Sequence, residues 1–168
     1  RQAIDYHDQG LAIAREIGDR RSEGAHLGNL GLAYAYLGEA RQAIDYHDQG
    51  LAIAREIGDR KSEGAHLGNL GLAYADLGEA RQAIDYYDQA LVIAREIGDR
   101  RSEGAHLGNL GNAYSSLGDA KTAIDYYEKD LAITYKIGDR RGEGTALWNM
   151  SLALDKLGKR AQAIECAK

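Results

Sequence analysis

The sequence has no proline and no phenylalanine, and only one cysteine, one tryptophan and one methionine in 168 residues. Without proline the chain lacks its strongest helix breaker, which favours an all-helical fold. A single cysteine, Cys166, excludes an internal disulfide framework and fits a reducing, cytoplasmic setting. No apolar run reaches the roughly 18 residues that a membrane-spanning helix needs, so no membrane partner is expected. The net charge of −5 offers no basic surplus, which argues against a nucleic-acid partner. No signal peptide is visible, and a chain that starts at Arg1 reads as a fragment of something longer. What is present, 44% hydrophobic and 28% charged residues, is globular composition and not disorder.

Internal repetition dominates the rest. Residues 1–20, RQAIDYHDQGLAIAREIGDR, recur unchanged at 41–60, and residues 21–40 recur at 61–80 with two changes, Arg21 to Lys61 and Tyr36 to Asp76. The pattern continues at 81–120 and 121–160 with growing divergence, so the period is 40. A fixed period of this size is the signature of a solenoid, in which each unit buries its apolar face against its neighbours.

Each period predicts two helices, one spanning about Ala40 to Ile57 and one about Lys61 to Leu77. The first carries Ala43, Ile44, His47, Leu51, Ala54 and Ile57 at the spacing of one buried face, with Arg41, Asp45, Asp48, Arg55 and Glu56 opposite. It reads as an outer helix with a solvated wall. Gly58 is a natural left-handed stop and Asp59 a natural N-cap for the helix that follows. The helix within 25–38 has no formally charged residue, so it reads as an inner helix. Leu27, Leu30, Gly31, Tyr34 and Leu37 form one stripe on it, and Ala25, Gly28, Asn29, Leu32 and Ala35 another.

Residues 69–94, NLGLAYADLGEARQAIDYYDQALVIA, resemble a tetratricopeptide repeat. Leu30, Gly31, Tyr34, Gly38, Ala43 and Ile44 fall on that family's pattern, while Gly50 stands where alanine is usual. The unit here is longer than the common one and closes on AREIGDR in place of proline, resembling the longer repeats of Pins-type adaptors and of bacterial signalling proteins. The resemblance covers the whole chain and implies a right-handed superhelix of antiparallel helical hairpins. Their inner helices would line a groove for peptides or partner proteins. Mapped on the period, 1–20 is an orphan outer helix, 21–60, 61–100 and 101–140 are full hairpins, and 141–168 is a last inner helix with a truncated outer one. The last unit departs from the pattern: Ser151 replaces the glycine, Leu154 the tyrosine, Trp148 the residue equivalent to Gly28, and Asp130 a small residue.

The GNLG stretches at Gly28/Gly31, Gly68/Gly71 and Gly108/Gly111 call for a reason, because a mid-helix glycine costs about 1 kcal/mol. Phosphate loops place glycines at a strand-to-helix turn, and RNA-clamping loops sit on basic surfaces. These lie inside uncharged helices and carry no basic residue, so packing is the reading, with Gly31 letting a partner helix approach and Gly28 leaving room in the groove. His26, His66 and His106 recur once per unit. His7 and His47 sit on outer helices and give way to Tyr87 and Tyr127, so no metal set converges and no metal or cofactor is expected. Paired carboxylates such as Asp45/Asp48 lie on the wall, away from any cleft, and Cys166 has no evident histidine partner; no enzyme is expected. The basic pairs Arg20/Arg21, Arg60/Lys61, Arg100/Arg101 and Arg140/Arg141 are flanked by acids that neutralise them.

The functional expectation is a protein-interaction scaffold. Its groove would comprise Ala25, Gly28, Asn29, Leu32 and Tyr36, then Gly68, Asn69, Leu72 and Asp76, then Gly108, Asn109, Asn112 and Ser116, and finally Trp148 and Asn149. Asn29, Asn69, Asn109 and Asn149 would either bond helix to helix or bond the backbone of a bound segment. With no cation between residues 25 and 38, the expected ligand is an apolar or amphipathic segment and not an acidic tail. The alternatives are a structural array that self-associates through its ends, where Ile4, Leu11 and Ile13 or Ile17 are expected to be partly uncovered, and a sensor segment of a larger signalling protein.

Overall fold

The computed structural model describes residues 2–166, apart from the side chain of Cys166. Nine helices follow one another with no strand among the described residues: α1 (Gln2–Ile17), α2 (Arg20–Tyr36), α3 (Ala40–Glu56), α4 (Arg60–Asp76), α5 (Ala80–Glu96), α6 (Arg100–Ser116), α7 (Ala120–Ile137), α8 (Arg140–Lys156) and α9 (Arg160–Cys166). Even-numbered helices are the inner ones, with charges confined mainly to their first turns, and odd-numbered helices are the outer ones.

The caps explain the boundaries. Asp59 Oδ1 accepts from the Ser62 amide at 3.1 Å, satisfying one of the free N–H groups at the start of α4. Because Asp59 is itself the cap, α4 begins at Arg60, one residue earlier than the sequence pattern suggests. Before it, Gly58 takes φ 69, and the Asp59 N–H turns back to the Ala54 carbonyl at 2.9 Å. A non-glycine residue would be strained there.

Each inner helix is packed between two outer ones. Leu67 and Leu70 of α4 meet Ala43, Ile44 and Leu51 of α3 on one side and Ala90 and Ile93 of α5 on the other. Both leucines are almost wholly buried, and burying each contributes about 2 kcal/mol. Within each hairpin a tyrosine pair stacks, Tyr34 on Tyr46 at 5.2 Å, Tyr74 on Tyr86 at 5.2 Å and Tyr114 on Tyr126 at 5.4 Å between ring centroids. The last unit has Leu154 at this position and lacks the pair.

Successive inner helices approach one another, α2 to α4, α4 to α6 and α6 to α8, whereas among the described residues no two successive outer helices come as close. The stack therefore curves, with the inner helices on its concave side. At the N-terminal end Ile13 and Ile17 are exposed and Ile4 is half-buried. Leu11 was expected to be partly uncovered but is buried, because it joins Leu27 and Leu30 of α2 in one cluster with Ile53.

Charged groups tie one unit to the next. Glu63 on α4 is buried and accepts from Arg55 Nε of α3 at 2.9 Å and from Arg60, which also reaches Glu96 of α5. The arrangement recurs from Arg15, Arg20, Glu23 and Glu56. Burial works to raise the Glu63 carboxyl, but the hydrogen bonds from Arg55 and Arg60 outweigh it and hold the group below its ordinary value. One member of each basic pair is thus neutralised locally, as expected. The other, such as Arg21, stays exposed, with Asp59 4.0 Å away.

Candidate functional site

The inner helices expose one stripe each to the concave side. On α2 it is Ala25, Asn29, Leu32 and Tyr36; on α4, Ala65, Leu72 and Asp76 are exposed and Asn69 half-buried. On α6 the stripe is Ala105, Asn109, Asn112 and Ser116, and on α8 Thr145, Asn149, Leu152 and Lys156. The spacing of four, three and four residues keeps each set on one helical face. Ala65 and Ala105 belong to this surface as the repeats of Ala25, while the polar Thr145, which takes that place in the last unit, was missed in the sequence.

Three clefts open on this side, each bounded by an inner helix, the outer helix after it and the next inner helix. The first, of about 470 Å³, brings Ala25 to Ala65 and His66 beneath Ile53 and Ile57 of α3. The second, of about 270 Å³, joins Gly68, Asn69 and Leu72 with Asn109 beneath Ile93 and Ile97 of α5. The third, of about 330 Å³, joins Gly108, Asn109, Asn112 and Asn149 with Asp130 and Thr134 of α7. The outer-helix ends that roof the clefts were also missed. Their isoleucines read as ordinary core, and only the gap between units makes them a wall. Asn29, Leu32, Tyr36, Asp76, Ser116 and Trp148 stand on the exposed face outside these three clefts.

The asparagines divide into two groups. Asn29, Asn69 and Asn109 make no side-chain hydrogen bond among the described residues. At the far end Asn149 Nδ2 donates to Asn112 Oδ1 at 3.2 Å, the Tyr127 hydroxyl donates to the same oxygen at 2.8 Å, and Lys156 donates to Ser115 Oγ at 3.1 Å. Among the described residues, helix-to-helix bonding by these asparagines is thus found in the last two units alone. Tyr36 and Trp148 are the most exposed large hydrophobic side chains of the surface, at 89% and 60%.

Gly31 behaves as the sequence suggests. A methyl group built on it would lie 2.6 Å from Cε1 of His47 on the partner helix α3. Gly28 requires a correction. The room expected in front of it is taken by the next unit, since a methyl there would meet His66 Cε1 at 3.2 Å. At Gly68 the obstacle is His106, and at Gly108 the Asp130 carboxylate. The space directly in front of each glycine is taken by the next inner helix's histidine or, at Gly108, by Asp130 of α7.

The histidines pair across units. His47 and His66 face each other through their Nδ1 atoms at 3.4 Å, both buried, and His7 and His26 at 3.3 Å. Burial, with the neighbouring His66 adding to it, pushes His47 down to about 4, and burial also lowers His66. His47, held this low, stays neutral near pH 7. No group of three or more metal-capable side chains assembles among the described residues. No helix among them is long and apolar enough to cross a membrane.

A family model described as tetratricopeptide repeat matches residues 1–56 and 62–136. The chain belongs to the tetratricopeptide repeat family. Solved structures with a similar fold include BtubC from P. vanneervenii, with a TM-score of 0.90 and 21% identity over 99% of this chain and 69% of that one. A Rap protein complexed with competence and sporulation factor aligns at a TM-score of 0.82 and 20% identity, over 97% of this chain and 46% of that one. A signal-transduction ATPase with a tetratricopeptide repeat sensor, from Pyrococcus horikoshii, aligns at 0.84 and 24% identity, over 96% of this chain and 26% of that one. The chain spans less than half of the latter two. No curated protein matches the sequence. As a tetratricopeptide repeat array, the chain has the fold typical of protein-interaction scaffolds, a superhelical solenoid of antiparallel hairpins.

Proposed function

We propose that this array is a protein-interaction scaffold that takes an apolar or amphipathic peptide or helical segment along its concave face. The observation that carries the reading is the row Asn29, Asn69 and Asn109, whose amides make no hydrogen bond among the described residues and stand between small and apolar neighbours. A primary amide can donate and accept at once, so it can pair with a peptide backbone of any sequence. Ala25, Ala65 and Ala105 leave the rungs accessible, and Leu32 and Leu72, exposed at 39% and 47%, add apolar surface beside them. The neighbour complexed with competence and sporulation factor is a precedent, in the same fold, for holding a partner.

The far end of the groove is more polar, with Asn149 bonded to Asn112 and Lys156 to Ser115, and this asymmetry gives a bound segment a direction. The test is selection of peptides from a displayed library on the whole chain, followed by titration of the selected peptide against Asn69→Ala/Asn109→Ala. With the helical circular dichroism unchanged, the double variant is expected to bind roughly tenfold more weakly, from the loss of two backbone hydrogen bonds. Unchanged affinity would move the site off the concave face. Recovery of the chain's own segments as the only ligands would favour self-association instead.

A further inference from the structure

Asp130 is a charge where the repeat has none. The equivalent residues are Gly10, Gly50 and Ala90. At Gly10 and Gly50 the space is filled by the imidazoles of His26 and His66. In the last unit the histidine position is Ala146 and the small position is Asp130, so the large and small partners have changed places. That exchange accounts for volume. It does not account for charge, since an apolar side chain would fill the space without burying an ion.

Asp130 is 7% exposed, and among the described residues no donor hydrogen-bonds to its carboxylate and no cation pairs with it. Methyl groups built at Gly104 and Gly108 would meet its oxygens at 3.1 and 2.8 Å, so it lies against the backbone of α6 on the wall of the third cleft. The charged groups around that cleft are Arg101 and Arg141, both exposed, and Asp139, which caps α8 by accepting from the Gly142 amide at 2.9 Å. The first two clefts carry an equivalent rim, Arg21, Asp59 and Lys61 in one and Lys61 and Asp99 in the other, but no carboxylate in the wall. Burial, with repulsion from Asp139 second, pushes Asp130 up to about 6, which still leaves it mostly ionised at neutral pH. An ionised carboxylate with no partner, facing a cleft on the binding surface, is half of an ion pair.

We infer that the third cleft is a subsite for one cationic group, the ammonium or guanidinium of a lysine or arginine on the bound segment, with Asp130 as its counter-ion. The inference rests on the groove-binding reading above and adds register to it. A volume of about 330 Å³ admits one long side chain, and Asn109, Thr145 and Asn149 offer oxygens to N–H groups that Asp130 does not take. Arg101 and Arg141 at the mouth repel a second cation, so the basic residue is flanked by neutral or acidic ones.

Two measurements on the whole chain test this. In the first, the carboxyl ¹³C resonance of Asp130, assigned by its loss in Asp130→Asn, is titrated with pH in the presence of n-butylguanidinium or of neutral n-butylurea. The cation is expected to lower the Asp130 midpoint and the urea to leave it; an unmoved midpoint overturns the inference. In the second, N-acetylated nine-residue peptides of Leu, Ala, Ser and Gln carry a central lysine, arginine, norleucine or glutamate, and binding is read by fluorescence anisotropy. The basic peptides are expected to bind about tenfold or more tightly than the norleucine peptide, and Asp130→Asn to erase the difference. Asp130→Ala, which places there the residue the preceding unit has at Ala90, serves as the second variant. Equal binding of norleucine and lysine peptides, or a preference that survives both variants, overturns the inference. If no peptide binds the wild-type chain, the groove-binding reading fails, and the first measurement still decides on Asp130.

Discussion

The imidazole of His47 occupies the space where a side chain at Gly31 would stand, with Cε1 2.6 Å from the position of its missing Cβ. The same relation joins Gly71 to Tyr87 and Gly111 to Tyr127, so in three successive hairpins the inner-helix glycine at this position receives one ring of the following helix. A helix-weakening residue is kept because it sets the distance between two helices.

Gly31→Ala is therefore expected to destabilise by about 1–3 kcal/mol, since the buried His47 ring cannot yield without disturbing His66. Gly144→Ala is the opposite case. It lies in the interior of α8 with nothing within 4 Å of a built methyl, and should stabilise by about 0.5–1 kcal/mol. Urea midpoints of the two variants should move in opposite directions.

The paired histidines make the array acid-labile. In the unfolded chain a histidine titrates near 6.5, while folded His47 is held down to about 4. The unfolded state therefore takes up a proton first, and stability falls as pH drops from about 6.5 towards 4. Glu63, whose folded carboxyl is lowered, loses its contribution as pH falls through its folded value, which adds to the same trend. His47→Tyr, the residue that the next unit has at Tyr87, should flatten the decline between pH 6.5 and 4. Thermal midpoints measured across that range would show it.

Glu63→Gln keeps the shape of the side chain but removes the charge that Arg55 and Arg60 share. The expected loss is about 1–3 kcal/mol, as for a buried, doubly hydrogen-bonded carboxylate. Arg41→Ala, on the solvated wall, should change stability by less than about 0.5 kcal/mol. Chemical denaturation of both variants distinguishes the buried network from the surface charge.

The last unit is tied down less. Its Glu143 pairs with Arg140, but Tyr135 stands where Arg95 holds Glu103, Lys136 replaces the acid at Glu96, and the stacked tyrosine pair is missing. Amides of α8 are expected to exchange about tenfold or more faster than those of α4, a difference of about 1.4 kcal/mol in local opening. Hydrogen exchange followed by mass spectrometry would check this. Equal protection of the two helices would contradict it.

Much of the fold was legible because its causes are local. Gly58 must stop a helix wherever its neighbours lie, and Asp59 must cap the next one, so the hairpin boundaries fell within a residue of their observed places. Gly31 was legible too, because its ring partner belongs to the same hairpin. Gly28 was not. Its partner His66 lies in the following unit, and a helical wheel shows only that Gly28 is off the main stripe, not which group faces it. Leu11 was misjudged for a related reason, since α2 covers α1 from the side that the missing neighbour was thought to leave open.

The sequence by itself determined the period, the two helices of each unit, their caps and their division into inner and outer layers. Each of these follows from hydrogen bonds and apolar spacing within some 40 residues. Tertiary structure alone decided how one unit sits against the next. That offset depends on how side chains 20 to 40 residues apart interlock, as His47 does with His66 and Arg60 with Glu96. It is this stagger that opens the clefts beneath Ile57, Ile97 and Ile137, puts the unbonded Asn69 and Asn109 on one wall, and carries Asp130 from a position that reads as filler into a cleft where a charge can be met.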